Sequence, residues 1–137
     1  MLRKTLYKGW PNCYHLANRQ IDLIVTSDVG PRILRLGFNG ERNELKEFPE
    51  QAGLTGGDEW RIYGGHRLWH APEDPPRSCQ PDNAPLEVAV LAEEDGLCLT
   101  QPVEPLTGIQ KQLEVYLHPE QNYVRVVHRL TNLGAWT

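Results

Sequence analysis

Apolar and polar residues alternate along most of this chain with a period of two. Residues 21–26 (Ile-Asp-Leu-Ile-Val-Thr) read as a strand entered from a turn at Asn18-Arg19. Residues 32–38 read as a second strand, behind the breaker Gly30-Pro31. Residues 86–91 alternate again. An acidic turn, Glu93-Glu94-Asp95-Gly96, then passes the chain to residues 97–100 as a hairpin partner. From 109 to 117, Ile109, Lys111, Leu113, Val115 and Leu117 share one face, four of the five being apolar. The other face holds Gln110, Gln112, Glu114 and Tyr116. Residues 123–130 pair with that strand after a turn at 118–122. Long strands with one apolar and one wet face are the mark of an antiparallel sheet covered on one side. No segment sustains a 3.6-residue stripe, and residues 44–51 offer one short helical turn at most. The expectation is an all-β fold, an antiparallel β-sandwich.

Residues 53–85 break the pattern. They are rich in glycine and proline and hold Trp60, Tyr63 and Trp69. A long loop of this kind is either functional or disordered, and disorder goes with few aromatics. The loop is therefore expected to be packed. Near the other end, Thr131-Asn132-Leu133-Gly134 is a turn signal, and Ala135-Trp136-Thr137 reads as the start of another strand. A sheet cut there keeps an unpaired edge. The expectation is one domain, 1–137, truncated at its C-terminus.

Composition narrows the classes. The 137 residues carry 14 Lys and Arg against 18 Asp and Glu, a formal charge of −4. That balance opposes a nucleic-acid surface, which needs a basic stripe. No apolar run is long enough to span a bilayer, and Met1 to Trp10 lacks the apolar stretch of a secretory signal. Three widely spaced cysteines, Cys13, Cys79 and Cys98, form no disulfide framework. Cys13 and Cys98 fall in strand-like runs and read as buried small hydrophobes; Cys79 reads as a free thiol in the loop. A reducing, cytoplasmic location is expected.

The stretch GGDEWRIYGGHRLWHAPEDPPRSCQPDNAP (56–85), with LTQPVEPLTGIQKQLEVYL (99–117) and VVHRLTNLGAW (126–136), resembles an uncharacterised family with the galactose mutarotase-like fold. This is the β-supersandwich of the aldose epimerases. The resemblance covers nearly the whole chain, from Gly9-Trp10-Pro11-Asn12 to Trp136. Tyr63-Gly64-Gly65 is similar to the arginine-glycine-glycine loop of hexose-phosphate mutarotases. In mutarotases a histidine just after the Thr-Asn-x-Gly turn is the general acid, and a glutamate much later is the base. This sequence ends at Thr137, before either position. The resemblance thus implies the N-terminal half of a supersandwich without the two catalytic groups.

The resemblance also implies a sugar site in the loop, at Trp60, Arg61, His66, Arg67, Trp69, His70 and Glu73. Sugars offer apolar ring faces edged by hydroxyls, so a site wants an aromatic plate beside a few aimed polar groups. The plainer alternative is a structural loop, with Trp69 plugging the core and Arg61 or Arg67 paired to Asp58 or Glu59. Within HRLWH, His66 and His70 lie four apart, which on a helix would suit zinc. The glycines before and Pro72 after oppose a helix, and on a strand the pair would stand about 13 Å apart. No metal and no cofactor is expected. His128, mid-strand, reads as a sheet-face residue. Arg32 reads as a sandwich-face arginine, or else as one lining a concave sugar face.

The expected partner is a small-molecule carbohydrate, with no nucleic acid and no membrane; homo-oligomers through exposed sheet edges are also expected. The expected function is carbohydrate binding without catalysis by the isolated chain. One alternative is a sugar epimerase (mutarotase) or related carbohydrate-active enzyme whose catalytic residues lie on a missing C-terminal half. Another is a non-functional structural fragment.

Overall fold

The computed structural model describes residues 1–75, 77–91 and 95–135. Two antiparallel sheets account for the fold. The first has the order β1 (Leu2–Tyr7), β2 (Trp10–Ala17), β3 (Ile21–Thr26), β4 (Arg32–Phe38), β5 (His66–Arg67). The second has the order β6 (Glu87–Leu91), β7 (Gly96–Thr100), β8 (Ile109–Leu117), β9 (Val124–Asn132). The helical content among the described residues is one 3-10 turn, Pro49–Gln51, inside the stretch granted a single turn. The chain is an all-β antiparallel sandwich, as the alternation predicts.

The main core lies between the sheets. Leu16, Leu23, Val25 and Ile33 of the first pack against Leu97, Leu99, Leu113 and Val115 of the second. On β8, Lys111, Leu113, Val115 and Leu117 are buried while Gln110, Gln112, Glu114 and Tyr116 are half-buried. The second sheet is thus covered chiefly on one side, as expected.

The first sheet is covered on both sides, which the alternation did not suggest. A strap, residues 39–65, crosses its outer face and closes a second core of Trp10, Cys13, Ile24, Val29, Leu34 and Tyr63. Every residue of β3 is consequently buried. A bulge on β4 serves both layers. Ile24 faces Arg35 and Val25 faces Ile33, so Leu34 is the extra residue. Ile33 then packs in the main core and Leu34 in the second.

On the same outer face Asp22 takes two hydrogen bonds from Arg35, at 3.0 and 2.9 Å, and meets His15 Nε2 at 2.9 Å. Burial would raise the Asp22 carboxyl, but the Arg35 and His15 contacts outweigh it and hold the group below its usual range. Cys98 corrects an expectation. It faces outward from β7 and is half-exposed, whereas Cys13 is buried. The acidic turn at 93–94 and the strand start at 136–137 lie outside the described residues.

The strap passes so close to β4 that side chains are excluded. A Cβ on Gly65 would stand 2.2 Å from the Ile33 carbonyl oxygen, and its φ is +74°. Gly40 has a similar φ of +77° with nothing near it. Gly40→Ala should therefore cost about 1–2 kcal/mol, the left-handed penalty alone. Gly65→Ala should cost about 3 kcal/mol or more, because the strap must also move. Urea unfolding of the two variants measures the difference.

Candidate functional site at the β5 edge

The loop that was expected to be packed is held by two buried groups. Arg32, fully buried at the start of β4, donates through Nη1 to the carbonyls of Ile62 (2.8 Å) and Gly64 (2.9 Å). Its Nη2 pairs with Asp82, and its guanidinium lies 4.8 Å from the Tyr63 ring centre. Of the two readings of Arg32, a sandwich-face arginine or one lining a concave sugar face, full burial rules out the second. The Tyr63 hydroxyl donates to Asn83 Oδ1 at 2.6 Å, and Asn83 Nδ2 donates to the carbonyls of Gly57 and Glu59. Both ends of residues 53–85 are thereby fastened to one arginine and one tyrosine. Tyr63 is the aromatic that packs; Trp60 remains 38% exposed.

This fastening places β5 at the edge of the first sheet, with Arg67 opposite Arg32 and His66 opposite Ile33. Neighbouring residues on a strand point to opposite faces. Arg67 goes with the tryptophans. Its guanidinium lies 4.1 Å from the Trp69 ring centre and 5.2 Å from that of Trp60, and the two indoles are 5.9 Å apart at 48°. Among the described residues no carboxylate forms an ion pair with Arg67. Burial, then the nearby Arg32 charge, lower its pKa.

His66 goes the other way, into the gap between the sheets. Its Nε2 stands 2.8 Å from Nε2 of His128 on β9. One ring must donate and the other accept, so the pair shares one proton between facing nitrogens. Burial, with the His128 charge next, lowers the His66 pKa below 6.5.

The other expected site residues lie elsewhere. His70 is buried and contacts Glu104 Oε1 at 2.9 Å. Glu104 also accepts from Thr107 Oγ1 at 3.2 Å, and Lys111 Nζ lies 3.8 Å from its second oxygen. That buried cluster ties the loop to the β7–β8 connection and explains the one charged residue on the inner face of β8. Arg61, half-buried, turns toward Tyr63 of the second core, donating to the Gly56 carbonyl (2.9 Å) and to the Tyr63 hydroxyl (3.0 Å). Glu73 is exposed. The ion pairs weighed for Arg61 or Arg67 with Asp58 or Glu59 do not form.

Trp60, His66, Arg67 and Trp69 thus gather at one edge, and His128 joins them from sequence 62 residues away. The sequence placed His128 on a sheet face but gave no signal of its partner. His66 and His70 do not converge. Among the described residues no group of three or more His, Cys, Asp or Glu could hold a metal ion, and no helix is long and apolar enough to cross a membrane.

An antiparallel β-sandwich with a cationic aromatic cluster at a sheet edge is the class that fold and site define. The chain matches no protein family, no curated protein and no solved structure.

The His66 shift has a direction in stability. Its folded pKa lies below its unfolded 6.5, so below about 6.5 the unfolded chain binds more protons. The His66 contribution to stability is complete above that pH and is lost as pH falls toward the folded pKa. His66→Gln should therefore lose less stability than wild type between about pH 7 and 5. In wild type the His66 imidazole should titrate below 6.5 by proton NMR.

Proposed function

We propose that the chain binds small-molecule carbohydrate at the β5 edge, on a sandwich that corresponds to the N-terminal half of a galactose mutarotase-like supersandwich. The observation that carries this reading is the Trp60–Arg67–Trp69 cluster. Trp60 is the more exposed indole of the pair, offering an apolar plate to the C–H face of a sugar ring. Arg67 brings a planar set of N–H donors to the rim of that plate, and no carboxylate among the described residues competes for them. His66, with its partner His128 of β9, lies on the opposite face of the same two-residue strand.

Binding is favoured over epimerisation. Mutarotation needs an acid and a base on two sides of the anomeric centre. His66 and His128 face each other and make a single proton-sharing unit on one side. Sugars should quench tryptophan fluorescence and shift Trp60 and Trp69 resonances. Trp60→Ala should weaken binding about tenfold or more, the worth of one aromatic contact, with little change in Tm. The chain should leave the polarimetric mutarotation rate of fresh aldoses unchanged. If no neutral or acidic monosaccharide perturbs these resonances, or Trp60→Ala binds as well as wild type, the reading fails.

The same proposal includes self-association through a sheet edge. β9 is an outer strand that exposes Leu130 (47%), and Leu133 beyond it is 60% exposed. Sedimentation should show concentration-dependent association that Leu130→Lys abolishes, since charge on an edge strand blocks pairing.

A further inference from the structure

On the outer face of the first sheet, under the strap, lies a cavity of about 220 Å³. Trp10, Leu34, Phe48, Ala52 and Tyr63 line it, with Glu47 as its acidic wall. The carboxylate is half-buried and half-used. Oε1 accepts the Tyr7 hydroxyl at 2.6 Å, and no side-chain donor among the described residues reaches Oε2. Burial and this bond push the Tyr7 hydroxyl well above its usual range, so it remains a donor and Glu47 an acceptor.

We propose that this cavity binds a small neutral arene bearing one hydrogen-bond donor, of the phenol or indole kind, with the donor on Glu47 Oε2. Three observations fix the class. The first is size. A cavity of about 150 Å³ lined by apolar side chains takes up benzene, and this one has room for a ring with a polar substituent. The second is the wall, whose rings favour an aromatic guest stacked offset or edge-on. The third is charge. Lys8 lines the cavity, so an organic cation meets like charge. An anion meets Glu47. A neutral molecule with a donor avoids both and uses the open oxygen.

Trp10 is buried with its Nε1 donating to the Leu54 carbonyl at 3.0 Å, which makes it a fixed reporter in the wall. Phenol and toluene differ by a hydroxyl in place of a methyl, so the pair isolates the Glu47 contact. Titrated into the full chain by heteronuclear NMR, phenol should shift the Trp10 and Tyr63 signals with about tenfold higher affinity than toluene, as a charge-assisted hydrogen bond gives. Glu47→Leu should bring the ratio to about one while toluene still binds. Should that variant not fold, Glu47→Gln, which keeps an acceptor without charge, should narrow the ratio. Ala52→Leu, which fills the cavity, should abolish both. Equal affinity of phenol and toluene for wild type, silence of the Trp10 and Tyr63 signals, or binding unaffected by Ala52→Leu would each overturn the proposal. None of these outcomes bears on sugar binding at the β5 edge, where Trp60 is the reporter.

Discussion

The rest of the structure depends on one buried cation. A guanidinium removed from water costs several kcal/mol unless its charge and donors are met. At its terminal nitrogens Arg32 is met by the Asp82 carboxylate and by the carbonyls of Ile62 and Gly64, and its plane by the face of Tyr63, while its buried Nε has no hydrogen-bond partner. Each partner comes from the long loop. Satisfying Arg32 therefore fixes two distant parts of that loop against β4. An irregular segment rich in glycine and proline gains a defined course from the demand of one side chain on the sheet. Arg32 is the first residue of β4, directly opposite Arg67, so the same anchor sets the position of β5.

From that anchor the two faces of β5 acquire different chemistry. Arg67 has no carboxylate ion pair among the described residues and is received by two indoles, a cation stacked on aromatic faces. His66 is received by a second histidine from the opposing sheet. Deeper in, His70, Glu104, Thr107 and Lys111 join the loop to the second sheet through a buried acid between a cation and an imidazole. Polar groups are thus concentrated at this end of the sandwich, while Leu16, Leu23, Val25 and their partners keep the remaining interface apolar.

Much of the sheet structure was legible and its covering was not. The strands at 21–26, 32–38 and 109–117 follow from alternation, because a half-buried strand must alternate. β1 and β2 gave weaker signals. On β2 the buried residues Trp10, Cys13 and Leu16 fall every three positions, since Trp10 and Cys13 serve the outer core and Leu16 the inner one. Pro11 also argues against a central strand. β5 has two residues, too few to show any period. The strap over the first sheet left its trace in β3, where Ile24 interrupts the alternation and meets the second core. At the site, the loop's aromatics announced packing, and the tryptophans, Arg67 and His66 stand together. His70 and Arg61 did not announce that they turn inward, because their partners, Glu104 and Tyr63, are identified only by the folded path. The same holds for His128, whose partner belongs to the other sheet.

The strand order carries a kinetic consequence. Hydrogen-bonded neighbours in each sheet are consecutive in sequence, and only the connection from β4 to β5 is long. Each sheet is a meander whose pairings close short loops, and short loops cost little chain entropy. β5 is different: residues 39–65 must be laid across the outer face before it can pair with β4. Local pairing favours rapid formation and distant pairing delays it. The two meanders are thus poised to form early, with the strap, the β5 edge and the union of the sheets completed afterwards. The segment bearing the tryptophan–arginine cluster is then the last to take shape and the least costly to open, while β3, buried on both faces, holds the slowest-exchanging amides.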